Sequence, residues 1–511
     1  MDSSASDELA TRRARTLDTA RPDAVAARHA RGGRTARENI ADLVDDGSFV
    51  EYGAFAVAAQ ERRRPLDELI DRTPADGLVA GTATVNGSAC AVLAYDATVL
   101  AGTQGLRGHQ KTDRLLQLVE RLRLPVVFFA EGGGGRPGDT DHPVVSALDV
   151  RTFALWARLS GVVPRVAVVA GRCFAGNAVI AGSSDLIVAT RTANLGMAGP
   201  AMIAGGGMGR YTPEEIGPID VQTRNGVVDV AVQDEAEAVT VARTLLGYFQ
   251  GALPPGAAPD QQALRGMVPE GERRAYDVRP VVTTLADTGT VTFLRERFAP
   301  ELVTALIRVE GRTVGVIANQ TMHMAGAITS DGADKAARFL QLCDAYGFPV
   351  VSLVDTPGMM VGPAAEQTAL VRHSSRLLVA GARLRVPLIG VVLRRGYGLG
   401  AQAMLGGSTK EPVLTVAWPG AHLGPMGLEG AVRLGRRKEL DAIEDPAERE
   451  RTVRRLTEEY REHAKALNAA RLFEIDDVID PADTRTVIAR TLEAADLAGR
   501  PTGGGHPVDT W

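Results

Sequence analysis

The chain has 511 residues, 45% of them hydrophobic and 23% charged, with a formal net charge of −5 and a pI near 6.0. That length is too great for one ordinary core and fits two or three domains, and the acidic balance excludes nucleic acid as the principal ligand, since phosphate binding needs a basic excess. Cys90, Cys173 and Cys343 lie far apart without Cys-x-x-Cys spacing, which excludes a disulfide framework or zinc ribbon and points to a reducing cytoplasm.

Residues 1–20 are polar and read as a loosely held segment. Its arginines are similar to those of a transit peptide, but Asp2, Asp7 and Glu8 oppose that reading, and there is no apolar signal-peptide core. No uncharged apolar run reaches the roughly 18 residues of a membrane span. Residues 24–44 read as one helix, with Thr35 and Glu38 at capping-box spacing. After a break at Asp45-Asp46-Gly47-Ser48, apolar β-rich runs at 91–93, 126–129, 166–169 and 186–189 alternate with helical stretches such as 111–122. That alternation means an α/β fold. Leu253-Pro254-Pro255-Gly256-Ala257-Ala258-Pro259 breaks either period and marks a linker. The expected organisation is a polar segment 1–20, an N-terminal domain 21–252, a linker 253–272 and a C-terminal domain 273–511. Strand candidates resume at 314–317, 350–354 and 388–393, and residues 447–472 read as a charged helix or helix pair.

The two halves repeat each other. Residues 87–127 align without a gap on 311–351, an offset of 224 residues (311 against 87), which pairs Ala101-Gly102 with Ala325-Gly326 and Lys111 with Lys335. At the same offset Gly176, in Cys173-Phe174-Ala175-Gly176-Asn177-Ala178, falls on Gly400, in Tyr397-Gly398-Leu399-Gly400-Ala401-Gln402. Each turn follows an apolar strand and leads into a small-residue segment able to start a helix. Backbone N–H groups there point outward at the positive end of the helix dipole and can hold an oxyanion. Such glycines and alanines also permit close helix-to-sheet packing; the duplicated placement favours function.

Other chemistries fit less well. Glu131-Gly132-Gly133-Gly134-Gly135-Arg136 lacks the Gly-Lys-Ser/Thr ending of a P-loop. Gly398-Leu399-Gly400-Ala401-Gln402-Ala403 loosely fits a dinucleotide pattern, without the acidic residue about 20 positions on that ribose binding needs. There is no Gly-x-Ser-x-Gly elbow, and the eight histidines form no metal-binding pair.

On these residues the chain resembles the carboxyltransferase (beta) subunit of biotin-dependent acyl-CoA carboxylases, over almost its whole length. The resemblance is carried by Gly32 to Glu38, Asp45 to Glu51, Ala101-Gly102-Thr103-Gln104-Gly105, Lys111 and Cys173 to Ala178 in the first half. In the second it is carried by Tyr276-Asp277-Val278-Arg279, Ala318-Asn319-Gln320, Asp334 to Phe339, Cys343-Asp344-Ala345, Asp355-Thr356-Pro357-Gly358, Ala417-Trp418-Pro419 and Asp476 to Pro481. It implies two tandem crotonase-like ββα-superhelix domains, assembled as a dimer at least and as a hexamer of three dimers, with each active site between one subunit's N-domain and its partner's C-domain. It also implies catalytic amides at Gly176 and Asn177 for the thioester oxygen of an acyl-CoA and at Gly400 and Ala401 for the ureido oxygen of carboxybiotin. Ala175, Gly133, Gly134, Gly135, Arg136, Leu399 and Gln402 are the implied substrate-binding residues, and no metal is expected. In the implied reaction the released biotin nitrogen takes the α-proton, so no side-chain base is required, and Asp355, Glu131 and His323 are read as solvated or structural.

Two departures mark the acyl side. Glu131 puts a carboxylate where short-chain members carry serine, an expected change to the acyl pocket, and Asn177 replaces a glycine, which is expected to add a side chain near the thioester. At the second turn Gln402 replaces an acidic residue of the short-chain type, which leaves the acyl group unassigned. Neither a Met-Lys-Met biotinylation site nor an ATP-binding domain is recognisable, so biotin is expected on a partner, a carrier protein or a biotin carboxylase subunit. The same motifs occur in decarboxylase and transcarboxylase relatives. A non-catalytic CoA-binding scaffold is the alternative from another class.

Overall fold

In the computed structural model, which describes residues 3–141, 148–498 and 506–511, the repeat appears first in the backbone angles. Asn86 (φ 54°) and Gly87 (φ 76°) make a two-residue turn, and Glu310 (φ 51°) and Gly311 (φ 76°) make the same turn in the second half. Two consecutive positive φ values give a hairpin turn whose twist matches that of the strands it joins. The chain divides into two compact units, Met1–Gln250 with Gly505–Thr510 and Gly251–Gly504 with Trp511.

In the first unit the strands are β1 (Val50–Glu51), β2 (Leu78–Val85), β3 (Ser88–Tyr95), β4 (Val126–Phe129), β5 (Arg165–Val169), β6 (Arg172–Phe174), β7 (Leu186–Thr190), β8 (Asn194–Gly196) and β9 (Val230–Val232). The main sheet runs β1-β2-β3-β4-β5-β7-β9, antiparallel as far as β3 and parallel beyond it, while β6 pairs with β8 apart from it. Every residue of β4, β5 and β7 is buried, as expected of parallel strands covered on both faces. Phe128, Trp156 and Leu116 sit in the core between sheet and helices.

The second unit repeats the plan with β10 (Thr292–Leu294), β11 (Leu302–Val309), β12 (Arg312–Asn319), β13 (Val350–Thr356), β14 (Leu388–Tyr397), β15 (Leu414–Ala417), β16 (His422–Gly424) and β17 (Asp477–Val478). Its sheet runs β10-β11-β12-β13-β14-β15-β17, with β16 pairing the end of β14. Three further devices recur. Leu100, Ala101 and Gly102 are consecutively left-handed, as are Met324, Ala325 and Gly326. A Cβ on Gly102 would lie 2.6 Å from Glu131 O, and one on Gly326 the same distance from Asp355 O. Half-buried Lys111 donates to the carbonyls of Ala75 (2.9 Å) and Leu78, and buried Lys335 to those of Phe298 (2.8 Å) and Leu302 (2.6 Å).

Two expectations about the N-terminal region change. Residues 24–44 form two helices, Pro22–His29 and Ala36–Leu43, because Gly32 turns left-handed and the Arg28 side chain crosses the gap to donate Nε–H to Arg34 O (2.9 Å). The capping box of Thr35 and Glu38 starts the second. From Ser3 onward the polar segment is ordered: Ser3–Ala14 is helical, Arg15 pairs with Asp71 (2.7 Å), and Thr35 Oγ1 donates to Asp18 (2.6 Å). The Pro/Gly-rich stretch packs on its own unit, with Leu253 N on Gly311 O (3.0 Å). The charged C-terminal segment is a helix pair, Pro446–Ala464 and Ala466–Arg471.

Candidate functional site

Ala175 is the corner from which the first turn is built. Its N–H donates to Gly196 O (3.2 Å), and its angles, φ 50° and ψ −122°, are ones that a residue with a Cβ rarely adopts. Backbone held there stores about 1–3 kcal/mol and marks functional positions. The helix Gly176–Gly182 begins at once, and the amide of Val179 is the one that reaches back to Ala175 O (2.9 Å). The N–H groups of the preceding turn, at Gly176, Asn177 and Ala178, therefore have no place in the helical ladder. A Cβ on Gly176 would stand 2.1 Å from Gln104 Oε1 and 3.0 Å from Phe153 Cζ, so glycine is what lets this backbone approach its neighbours.

The glycine loop after β4 is laced to that corner. Gly132 N donates to Arg172 O (2.7 Å), Phe174 N to Gly132 O (2.9 Å), Gln104 N to Gly134 O (2.8 Å) and Arg136 N to Gln104 O (2.8 Å). Asn177 is fully buried, and its amide turns into this loop: Oδ1 accepts from Gly134 N (3.0 Å), and Nδ2 lies 3.4 Å from Glu131 O. The expected extra side chain near a bound thioester is thus spent on bracing the loop. Arg136 is similarly committed, donating to Asp76, Thr103 O (2.9 Å) and Thr103 Oγ1 (3.1 Å). Glu131 takes both guanidinium nitrogens of Arg28 (2.8 and 2.6 Å), and Arg28 also holds Glu235 (3.0 Å), which accepts from Asn39 Nδ2 (2.5 Å). Burial pushes the Glu235 carboxyl up. Glu131 thus lines the cavity beside this turn with its charge neutralised by Arg28.

A cavity of about 1830 Å³ opens beside the turn, entirely within the first unit. Gly133, Gly135, Arg136 and Ala175 line it, with Gln104 and His109, while Gly134 backs the turn, a Cβ there falling 2.6 Å from Ala175 Cβ. Sequence reasoning passed over His109. Its Nδ1 lies 2.9 Å from Thr152 Oγ1, which donates to Asp113 Oδ1 (2.5 Å). The available signal was the spacing of His109 and Asp113, four apart on the helix Leu106–Leu122. Gln104 lay inside a motif already singled out, but nothing in the sequence said that it touches Gly176. Among the described residues no group of three or more His, Cys, Asp or Glu is placed to hold a metal.

The second unit builds the corresponding turn, one residue out of the expected register. Strand β5 starts against β4 with Arg165 opposite Val126, and β14 starts against β13 with Leu388 opposite Val350. From there the offset is 223 (388 against 165) rather than 224. Phe174 then corresponds to Tyr397, the left-handed corner Ala175 to Gly398 (φ 58°), Gly176 to Leu399 and Asn177 to Gly400. Contacts agree: Asn177 reaches the backbone of Gly134, and a Cβ on Gly400 would stand 2.5 Å from the carbonyl carbon of Gly358. The pairing of Gly176 with Gly400 is therefore corrected, and the amides equivalent to Gly176 and Asn177 are those of Leu399 and Gly400. Ala401 is buried one step further along the helix Gly398–Met404, whereas the side chains of Leu399 and Gln402 are exposed. Fully buried Asp355 is held by Arg394 (3.0 Å) and Arg395 (2.6 Å), a structural ion cluster, and His323 is exposed.

Comparison with known proteins gives a consistent picture. A family model described as the carboxyl transferase domain matches residues 27–501. The methylmalonyl-CoA carboxyltransferase 12S subunit of Propionibacterium freudenreichii subsp. shermanii is 33% identical over 486 residues, 91% of this chain and 89% of its own length. A crystal structure of the transcarboxylase 12S hexamer, with methylmalonyl-coenzyme A and methylmalonic acid bound, superposes with a TM-score of 0.87 at 32% identity, covering 99% of this chain and 98% of that one. A single-chain, multi-domain long-chain acyl-CoA carboxylase superposes with a TM-score of 0.91 at 57% identity, covering 95% of this chain; this chain spans 48% of that protein's length.

Proposed function

The chain belongs to the carboxyl transferase family, and on that premise we propose that it transfers a carboxyl group from carboxybiotin, carried by a partner, to an acyl-CoA. The observation that carries this reading is the pair of helix-start turns at register-equivalent places, each with a positive-φ corner and with unladdered amides, packed against Gly134 in one unit and Gly358 in the other. Removing an α-proton from a thioester puts negative charge on its oxygen. Amides fixed in advance around that oxygen stabilise the charge, about 3 kcal/mol per donor. Gly176 and Asn177 supply them in the first unit, and the adjoining cavity takes the CoA.

Leu399 and Gly400 are the amides we assign to the ureido oxygen of biotin, and the fit is supported by Gly400, where a Cβ would fill the cradle against Gly358. Carboxybiotin supplies the carboxyl group when it binds. The chain's own residues hold the two oxygens. The 57% identity to a long-chain acyl-CoA carboxylase supports a long acyl chain, and the hexamer of the 12S relative supports a homo-oligomer, a dimer at least. The positive-φ corner kept at both turns favours catalysis over a scaffold role.

The test requires no partner. The full chain, given a carboxylated acyl-CoA labelled in its carboxyl group and free biotin, is expected to move label to biotin, and the absence of label on biotin with every member of a panel of short-, medium- and long-chain carboxylated thioesters would refute the reading.

A further inference from the structure

His109 sits on the helix Leu106–Leu122 and lines the first unit's cavity. Asp113 is a carboxylate and only accepts hydrogen bonds, so the Thr152 hydroxyl, 2.5 Å away, must give its proton to Asp113. That leaves Thr152 Oγ1 as an acceptor for His109 Nδ1, 2.9 Å away. The imidazole proton is thereby fixed on Nδ1, and Nε2 keeps its lone pair. Thr152 is fully buried, which makes this relay costly to rearrange, and Nε2 has no hydrogen-bond partner among the described residues. The ring also stands close to the first turn. Its centroid is 6.2 Å from that of Phe153, whose Cζ is 3.0 Å from the Cβ position of Gly176.

We propose that His109 Nε2 is a fixed acceptor for an amide N–H of the pantetheine arm of the acyl-CoA. The pantetheine arm carries its first amide two methylenes beyond the thioester sulfur, so an acceptor one aromatic ring away from the thioester site is placed to read it. The inference rests on the reading that this cavity binds acyl-CoA. Protonation of Nε2 would turn the acceptor into a donor and oppose the contact. Asp113 on the same helix and Asp139 on the loop favour the imidazolium, whereas burial, first, and Arg136 oppose it and hold the ring below its ordinary range. Arg151 also lines the cavity.

The experiment measures binding of coenzyme A and of adenosine 3′,5′-bisphosphate, which lacks the pantetheine arm, to the full chain and to His109→Phe and Thr152→Val. His109→Phe is expected to weaken coenzyme A about five- to tenfold and to leave the bisphosphate unchanged. Thr152→Val, which frees the tautomer, is expected to weaken coenzyme A less, and it serves as the test should His109→Phe not fold. Because burial holds the ring below its ordinary range, wild-type affinity for coenzyme A is expected to hold at neutral pH and to fall only as the pH drops below about 6.5, a dependence that His109→Phe lacks. Equal binding of coenzyme A by wild type and variant, or equal loss of both ligands, overturns the proposal. Failure of the wild type to bind coenzyme A at all overturns the acyl-CoA reading on which it stands.

Discussion

Replacing Gly400 by alanine tests the second turn with one carbon atom. The new Cβ would lie 2.5 Å from the carbonyl carbon of Gly358 and 2.6 Å from its Cα, where carbon atoms rest at about 3.5–4.0 Å. Something must move by about 1 Å. Gly358 is poorly placed to yield: Thr356 Oγ1 takes its N–H (3.1 Å), and its carbonyl accepts from Ile328 N (3.1 Å). The start of the helix Gly398–Met404 therefore shifts instead, carrying the amides of Leu399 and Gly400 with it. A misplacement of that size costs about a hundredfold in rate. The assay is carboxyl transfer from a carboxylated acyl-CoA to free biotin, alongside coenzyme A binding by the same variant. Transfer about a hundredfold slower with coenzyme A binding unchanged is expected. A rate within threefold of wild type (about 0.7 kcal/mol), or parallel loss of binding, would refute the reasoning. Gly176→Ala makes a useful contrast, because its clash is with the end of the Gln104 side chain and with Phe153, which can give way.

Other outcomes follow from the same contacts. Asn177→Leu leaves Gly134 N without its acceptor inside a buried loop, at about 1–3 kcal/mol, and steady-state kinetics should show kcat falling at least tenfold. Glu131→Ala removes the carboxylate that takes both Arg28 nitrogens; discounted for partial exposure, the loss is about 1–3 kcal/mol, so a drop in thermal midpoint is expected in thermal melts of the variant. Burial lowers Lys335 to about 7, below its unfolded value of about 10.4. Between those values the unfolded chain binds more protons, so the penalty is fully present below pH 7 and stability rises toward pH 10. Thermal melts across that range should show a shallower rise for Lys335→Met, and an identical slope would contradict the assignment.

Much of this molecule could be read in its sequence because the repeat lies in elements with strict backbone demands. The gapless match of residues 87–127 with 311–351 falls on structure that both copies share, starting at the hairpin glycines Gly87 and Gly311, and the strands follow the α/β alternation that the parallel sheets display. The register slip was not legible: it arises between β4 and β5 in one copy and between β13 and β14 in the other, where the two copies share no pattern, and pairing across a sheet is what fixes it. Side-chain direction was equally hidden. Asn177 looked like an addition to a substrate pocket, yet its amide satisfies Gly134 N. Nor could Glu131 announce its partner, since Arg28 lies 103 residues away and at a break in a stretch that reads as one continuous helix. Thr152 is likewise 43 residues from His109, so the relay that fixes its proton exists only in the folded chain.

The most direct measurement of the central claim supplies the full chain with a biotinylated carrier, biotin carboxylase, ATP, labelled bicarbonate and a panel of acyl-CoAs of increasing length. Label is expected in the acyl-CoA fraction only when carrier and chain are both present, with the longer thioesters preferred. A panel in which no acyl-CoA takes up label, while the carrier itself becomes carboxylated, would contradict the account.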